Sequence, residues 1–291
     1  MNNNYILPSI DLLDREDNND SNSNVTFKTA TIHIPKEYMY NKLCLPLGVD
    51  NDGNTCYFDL SKCNNVLIGG ATGSGKSVFL NSIICSILMR SFPSEVRLLL
   101  IDTKKLEFSN YNGIPHLITP SISSPREASI GLYKIVKEIE ERCDILSQNN
   151  AKDIEEFNKT TDIKMPYIVV IVDELFDIMS FYQNEIEDVF RYITENGKKV
   201  GIHMIISTQK PSSKLIDILN AKNDLTRISF VATLRDLSGT IGMKVNEKPS
   251  AKGGMLFRPF GTDEVRKIKG PYISEEEILR LVDFCIRQGR K

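Results

Sequence analysis

Five short apolar runs punctuate the chain from residue 65 onward: Asn65–Gly69, Val96–Ile101, Tyr167–Val172, Ile202–Ser207 and Ile228–Ala232. The stretches between them have helical spacing. Short buried runs separated by helices predict an α/β fold with a mostly parallel central sheet flanked by helices. Two helix starts are marked clearly. Ser124-Pro125-Arg126-Glu127 is a capping box with proline at the first helical position. Leu132, Ile135, Val136, Ile139, Cys143 and Leu146 then recur on one helical face. Ser274 and Glu277 form a second capping box, with Ile273 and Ile278 placed as a hydrophobic staple. The inner face of that helix is Ile278, Leu281, Val282 and Cys285.

Upstream the pattern changes. From Thr26 it turns strand-like through Thr31-Ile-His-Ile-Pro, and Leu43–Val49 and Thr55–Leu60 flank Asp52-Gly53 as a hairpin would. Asp14 to Asn24 (DREDNNDSNSN) has no apolar residue and reads as a flexible linker. Tyr5 to Leu13 reads as a short apolar segment that docks on the body. There is no internal repeat. The organisation expected is a mostly disordered segment 1–25, a small N-terminal β-rich region 26–63 and a P-loop NTPase domain 64–291.

Composition narrows the class. Hydrophobic residues make up 41% and charged residues 25%, enough for an ordinary globular core. No apolar run approaches the about 20 residues that span a membrane. The start Met1-Asn-Asn-Asn-Tyr lacks a basic region followed by an apolar one, so no signal peptide is read. Six scattered cysteines without a C-x-x-C pair suit reduced thiols in cytoplasm, and three separated histidines argue against zinc. The net charge of −2 rules out a uniformly basic surface, yet a ring of subunits can still concentrate basic groups in a channel.

The chemistry lies at Gly70-Ala71-Thr72-Gly73-Ser74-Gly75-Lys76-Ser77, which fits G-x-x-x-x-G-K-[ST]. It follows a strand (Val66-Leu-Ile) and opens a helix (Val78 to Met89). Glycines let backbone N–H groups curl around phosphates, and the helix N-terminus adds positive dipole. Lys76 is expected to reach the β- and γ-phosphates of ATP, Ser77 to ligate Mg²⁺, and Val78 to complete the nucleotide contact. Such a site needs an acid on a second strand end. Ile168-Val-Val-Ile-Val-Asp173-Glu174 supplies Asp173 for the metal and Glu174 to activate a water. Gln209 ends a further run, where it would sense the γ-phosphate or position water.

Beyond the P-loop, Val96-Arg-Leu-Leu-Leu-Ile-Asp-Thr-Lys, Tyr111-Asn-Gly-Ile-Pro-His-Leu, Met165-Pro-Tyr-Ile-Val-Val-Ile-Val-Asp-Glu-Leu, Gly201-Ile-His-Met-Ile-Ile-Ser-Thr-Gln-Lys-Pro, Gly254-Met-Leu-Phe and Ile273-Ser-Glu-Glu-Glu occur in order. Together they resemble the FtsK/SpoIIIE DNA translocases, from about Leu43 to Phe284. The resemblance implies a RecA-like motor that hydrolyses ATP, assembles as a hexameric ring and threads double-stranded DNA. It also implies that Arg227 reaches a neighbour's γ-phosphate. Pore loops would fall at about Arg235–Lys252 and Arg258–Lys269, with Arg235, Lys244, Lys248 and Lys267 as phosphate contacts. The chain departs from the family pattern in several places. The α-type region before the motor is short, and no membrane anchor or winged-helix domain is seen. Gly239 stands where a basic residue is common, and Gly254 where an acid is. A compact version of this kind fits a mobile element that moves its own DNA. Alternatives are a coupling ATPase recruited by a relaxase or transfer-machinery protein, a type VII secretion-like protein-export ATPase, and a regulatory nucleotide-binding protein that never translocates.

Overall fold

A computed structural model describes residues 5–14, 25–32, 41–63, 65–104, 107–209, 211–219, 225–249 and 252–289, with the side chains of 180–185 left out. Its frame is one nine-stranded sheet in the order β2-β1-β9-β8-β7-β3-β6-β5-β4. The strands are β1 (Cys44–Asp50), β2 (Thr55–Asp59), β3 (Asn65–Gly69), β4 (Val96–Asp102), β5 (Tyr167–Asp173), β6 (Ile202–Thr208), β7 (Leu225–Phe230), β8 (Gly254–Arg258) and β9 (Arg266–Lys269). The five expected runs form a parallel block, β7-β3-β6-β5-β4. The other four strands extend it by antiparallel pairing.

Handedness explains the layering. The chain crosses from β3 to β4 in one direction along the sheet and returns through β5, β6 and β7 in the other. Right-handed crossovers therefore put α2 (Lys76–Arg90) on one face. The opposite face takes α3 (Pro125–Gln148), α4 (Ile154–Thr160), α5 (Leu175–Asn196) and α6 (Ser213–Leu219). Two apolar layers result, and strand residues alternate between them. Val66 and Ile68 of β3 pack on the α2 side, where α8 (Glu275–Gly289) also lies, whereas Leu67 packs on the other side. Reversal of strand order beside β3 creates a crevice at the carboxyl ends of the strands, where ligands of such sheets bind.

Both serine caps form, and the box at Ser274–Glu277 is reciprocal. Ser124 Oγ accepts from Glu127 N at 3.3 Å, and Pro125 opens α3. Ser274 Oγ accepts from Glu277 N at 3.2 Å while Glu277 Oε2 accepts from Ser274 N at 2.8 Å. The expected docking of the N-terminal segment is also seen. Glu277 Oε1 accepts from Asp14 N at 3.1 Å, Arg280 pairs with Asp14, and Leu13 is buried. The linker expected at Asp14–Asn24 lies, apart from Asp14, outside the described residues.

Two expectations need correction. Phe27–Ile32 is a short helix, α1, not a strand. Thr26 Oγ1 accepts from Thr29 N at 3.2 Å, and Phe27 and Ala30, three apart, are both fully buried. That helical spacing outweighs the β-branched residues that suggested a strand. The remainder of that reading, His33–Pro35, lies outside the described residues. The last parallel strand begins at Leu225 and stops at Phe230, short of Ala232. Val231 leaves the sheet because its carbonyl accepts from Ala71 N of the glycine loop at 3.1 Å.

Glu277 serves the α8 cap and the N-terminal segment at once. Replacing it by alanine should cost about 1–2 kcal/mol, read as a lower urea midpoint. Cleavage near residue 14 by a dilute protease should accelerate in the same variant.

Candidate nucleotide site

Gly69, Thr208 and Ser229 are in register across β6, β3 and β7, so three parallel strands end at one level. The glycine loop rises from the middle one and opens α2 at Lys76. Crowding restricts a glycine just before the loop and another at its end. A Cβ on Gly69 would lie 2.2 Å from Thr240 Oγ1 of α7 (Leu234–Ile241). Gly75 has φ +114°, and a Cβ there would press on the Gly253 backbone at 3.2 Å. Two backbone bonds hold the loop from the β7–β8 side: Ala71 N to Val231 O at 3.1 Å, and Gly253 N to Ser74 O at 3.0 Å.

Lys76 is 7% exposed, and its ammonium donates to Gly70 O at 2.6 Å and Ala71 O at 3.1 Å. Burial pushes its pKa down, while the negative charges of Asp173 and Glu174 push it up. Asp173 continues the Val169 and Ile171 face of β5, the face on which α2 packs. Burial, then the carboxylates of Glu107, Asp102 and Glu174, push Asp173 up to about 6, with Lys76 opposing. An acid so placed gains when a cation arrives.

Glu174 is 6% exposed and has φ +60°, a left-handed conformation uncommon outside glycine. Such backbone costs about 1–3 kcal/mol and persists only where the surroundings enforce it. Here β6 does so. Glu174 Oε1 accepts from Thr208 Oγ1 at 3.0 Å, and Oε2 accepts from Gln209 N at 3.2 Å. Gln209 Oε1 in turn accepts from Thr72 Oγ1 of the glycine loop at 2.9 Å. The acid, the strand end and the loop thus form one connected network. Thr208, Asp102 and Lys104 lie inside segments that carry the family resemblance, but the sequence by itself assigns them no role. Each stands within two residues of a strand's carboxyl end, the same signal that singles out Asp173 and Gln209.

The remaining candidates are placed elsewhere. Arg227 lies on the side of β7 away from Ile228 and Phe230, under α7, where its guanidinium donates to Thr240 O at 3.1 Å. It is 6% exposed, and burial with nearby Arg258 pushes its pKa down. The fold therefore does not bring Arg227 to this chain's own loop. Arg235 sits in the first turn of α7, Lys244 and Lys248 follow that helix, and Lys267 is on β9; all four are exposed. Lys267 pairs with Glu247, which ties β9 to the segment after α7.

The residues fit ATP and Mg²⁺. Ser74 Oγ is buried in the loop with no hydrogen-bond partner, a polar atom waiting for a ligand. Asp173 offers a hard oxygen, the type Mg²⁺ prefers, and Ser77 lies one residue beyond Lys76. A cavity of about 150 Å³ adjoins the first turn of α2, bounded by Gly75, Val78, Phe79, Phe230, Gly253 and Tyr272. Val78, Phe79, Phe230 and Tyr272 give it apolar surface that suits a flat aromatic base, and Lys252 and Lys269 also line it.

A strand, a glycine loop and a helix at the reversal of a parallel sheet, with paired acids at the end of β5, one strand beyond the neighbouring β6, define a RecA-like P-loop nucleotide-binding fold. Comparison with known proteins takes this further. Residues 35–213 match the FtsK/SpoIIIE family. The DNA translocase FtsK of Oceanobacillus iheyensis is 40% identical over 261 residues, 86% of this chain and 33% of that protein. The DNA translocase SpoIIIE of Bacillus subtilis is 38% identical over 260 residues, again 86% and 33%. The chain therefore belongs to the FtsK/SpoIIIE family, and it spans about a third of the length of the curated relatives it matches.

Among solved structures, the cytoplasmic domain of the type VII secretion ATPase EccC of Thermomonospora curvata matches with a TM-score of 0.75 at 22% identity, covering 90% of this chain and 34% of that one. The pCW3 conjugation coupling protein TcpA, in a monomer form with ATPγS, matches with a TM-score of 0.74 at 23% identity, covering 89% and 73%. These show a shared fold. No described helix is long and apolar enough to cross a membrane.

The raised Asp173 carboxyl has a pH consequence. Its ionised form is disfavoured in the fold, so the penalty is absent below about pH 4 and complete above about pH 6. Without metal or nucleotide, Asp173→Asn should be more stable than wild type by up to about 3 kcal/mol at pH 8. The two should converge as pH falls toward 4. Urea unfolding at both pH values in chelator checks the sign.

Proposed function

We propose that this chain is the ATP-hydrolysing motor of a double-stranded DNA translocase that works as a homo-oligomeric ring. The observation that carries the reading is the Thr72–Gln209–Glu174 network, which joins the phosphate loop to an acid held in a strained backbone beside Asp173. A nucleotide-binding protein without hydrolysis has no need of that second acid. The named activities of the FtsK and SpoIIIE relatives support DNA as the substrate.

In this reading the loop amides and Lys76 bind the phosphates, Ser77 and Asp173 hold Mg²⁺, and the base enters the cavity beside Val78 and Phe230. Bound Mg²⁺ would neutralise charge on the phosphates. Glu174 orients a water and takes its proton as the water oxygen attacks the γ-phosphorus. The bond from that phosphorus to the bridging oxygen breaks, and its electron pair leaves with ADP. Gln209 reports the γ-phosphate to β6. The loop's bonds to Val231 and Gly253 connect this event to the β7–β9 unit, which carries Arg235, Lys244, Lys248 and Lys267 as DNA phosphate contacts.

Long linear duplex DNA should raise the ATPase rate severalfold. Glu174→Gln should lower kcat by about a hundredfold or more while ATP binding persists. Absence of any stimulation by DNA would overturn translocation and leave the nucleotide site standing.

The ring makes a separate prediction. For Arg227 to serve a neighbour, its guanidinium must leave Thr240. Mixing Arg227→Ala with Lys76→Ala subunits should then restore activity that neither variant shows alone. No restoration would confine Arg227 to its own α7.

A further inference from the structure

The end of β4 builds a third wall of the site. Asp102 is 2% exposed and in register with Asp173. Its carboxylate accepts from the backbone N–H groups of Lys104 (3.1 Å), Glu107 (2.7 Å) and Phe108 (3.2 Å). These bonds roll the chain back over the strand end. Thr103 Oγ1 then donates to Asp177 Oδ2 at 3.1 Å, pinning the turn to the first turn of α5. The Lys104 ammonium is left 3.9 Å from Glu174 Oε2 and 3.9 Å from Asp177 Oδ2.

At that separation Lys104 is hydrogen-bonded to neither acid. It acts as a point charge between two carboxylates. Its side chain is 39% exposed, and ion pairs so exposed add little to stability. Yet five hydrogen bonds fix its surroundings: three to Asp102, one from Thr103, and one from Thr208 to Glu174. The arrangement makes physical sense if the charge itself is needed there. Glu174 is anchored on one side by neutral donors of β6. Asp173 adds negative charge next to it, Asp177 shares the Lys104 ammonium with it, and two cations act on the carboxylate: Lys76 from the glycine loop and Lys104 from the turn after β4.

We propose that Lys104 is a positioning residue for ATP hydrolysis, whose ammonium holds the Glu174 carboxylate at the angle from which it accepts the water's proton. This rests on the reading of Glu174 as the water-activating acid. Lys104 pairs with Glu174 and Asp177, while it reaches Lys76 of the loop only as a like charge, so its loss should fall on turnover and not weaken ATP binding.

The test compares wild type, Lys104→Met and Lys104→Arg in the full chain, with Mg²⁺, long duplex DNA and a range of ATP concentrations. Lys104→Met should lower kcat by about tenfold or more with KM for ATP within about threefold. Lys104→Arg, which keeps the charge, should return kcat to within about threefold of wild type. A purely structural residue would not give that split, nor rescue by charge alone. The proposal is overturned if Lys104→Met keeps wild-type kcat, if KM rises while kcat holds, or if the arginine variant is as impaired as the methionine one. A wild-type chain that binds ATP without ever hydrolysing it overturns the function reading and this proposal together. An active wild type with an unaffected Lys104→Met overturns the proposal alone.

Discussion

Three parallel strands that stop at the same level are the constraint on which the rest of the site depends. Gly69 sits between Thr208 and Ser229, and each strand end delivers something different to the same crevice. β3 delivers the phosphate loop, β6 the polar Thr208 and Gln209, and β7 the carbonyl of Val231 that holds the loop in place. The loop bonds to itself at one point, Ser74 N to Ala71 O, and neighbouring backbone supports it at two more, Ala71 N to Val231 O and Gly253 N to Ser74 O.

The acids obey a second constraint, charge density. Asp102, Asp173, Glu174 and Asp177 crowd the ends of β4 and β5 and the start of α5. They are tolerated for different physical reasons. Asp102 spends its charge on three backbone N–H groups. Glu174 is held by Thr208 and Gln209 and faces Lys104. Asp173 has no such hydrogen bonds among the described residues, only the charge of Lys76, and is pushed up to about 6, which marks it as the position that gains most from a metal ion. Division of labour among neighbouring carboxylates follows from what each one accepts, not from residue type.

Antiparallel extension of the sheet connects this crevice to a separate surface. β8 pairs with β7, β9 pairs with β8, and the hairpin of β1 and β2 closes on β9. Gly253, at the entry to β8, is bonded to Ser74 of the loop on one side and to Gly270 on the other. Ser74, Gly253 and Gly270 thus form a continuous path of backbone hydrogen bonds from the loop to the end of β9.

Much of the candidate nucleotide site was legible in the chain alone, because its signals are local. The glycine loop is eight consecutive residues, the acid pair directly ends an apolar run, and each capping box spans four positions. Gln209 was legible for the same reason, as the residue after a run. Strand β9 was not, because Arg-Lys-Ile-Lys has one buried residue and is made a strand by pairing with β8 and β1. Nor was α1, whose β-branched residues favour a strand until tertiary burial of Phe27 and Ala30 selects the helix. The direction of Arg227 depended on which face of β7 α7 covers, a fact no local pattern contains. Lys104 is the clearest case: it lies 70 residues before Glu174 in the chain, and only the parallel pairing of β4 with β5 puts its charge beside that acid. The sequence by itself determined the nucleotide loop, its acids and the parallel block, because hydrogen-bonding and hydrophobic periodicity act between near neighbours. Tertiary structure alone decided how the acids are held and which cation faces them, because charges interact across space and not along the chain.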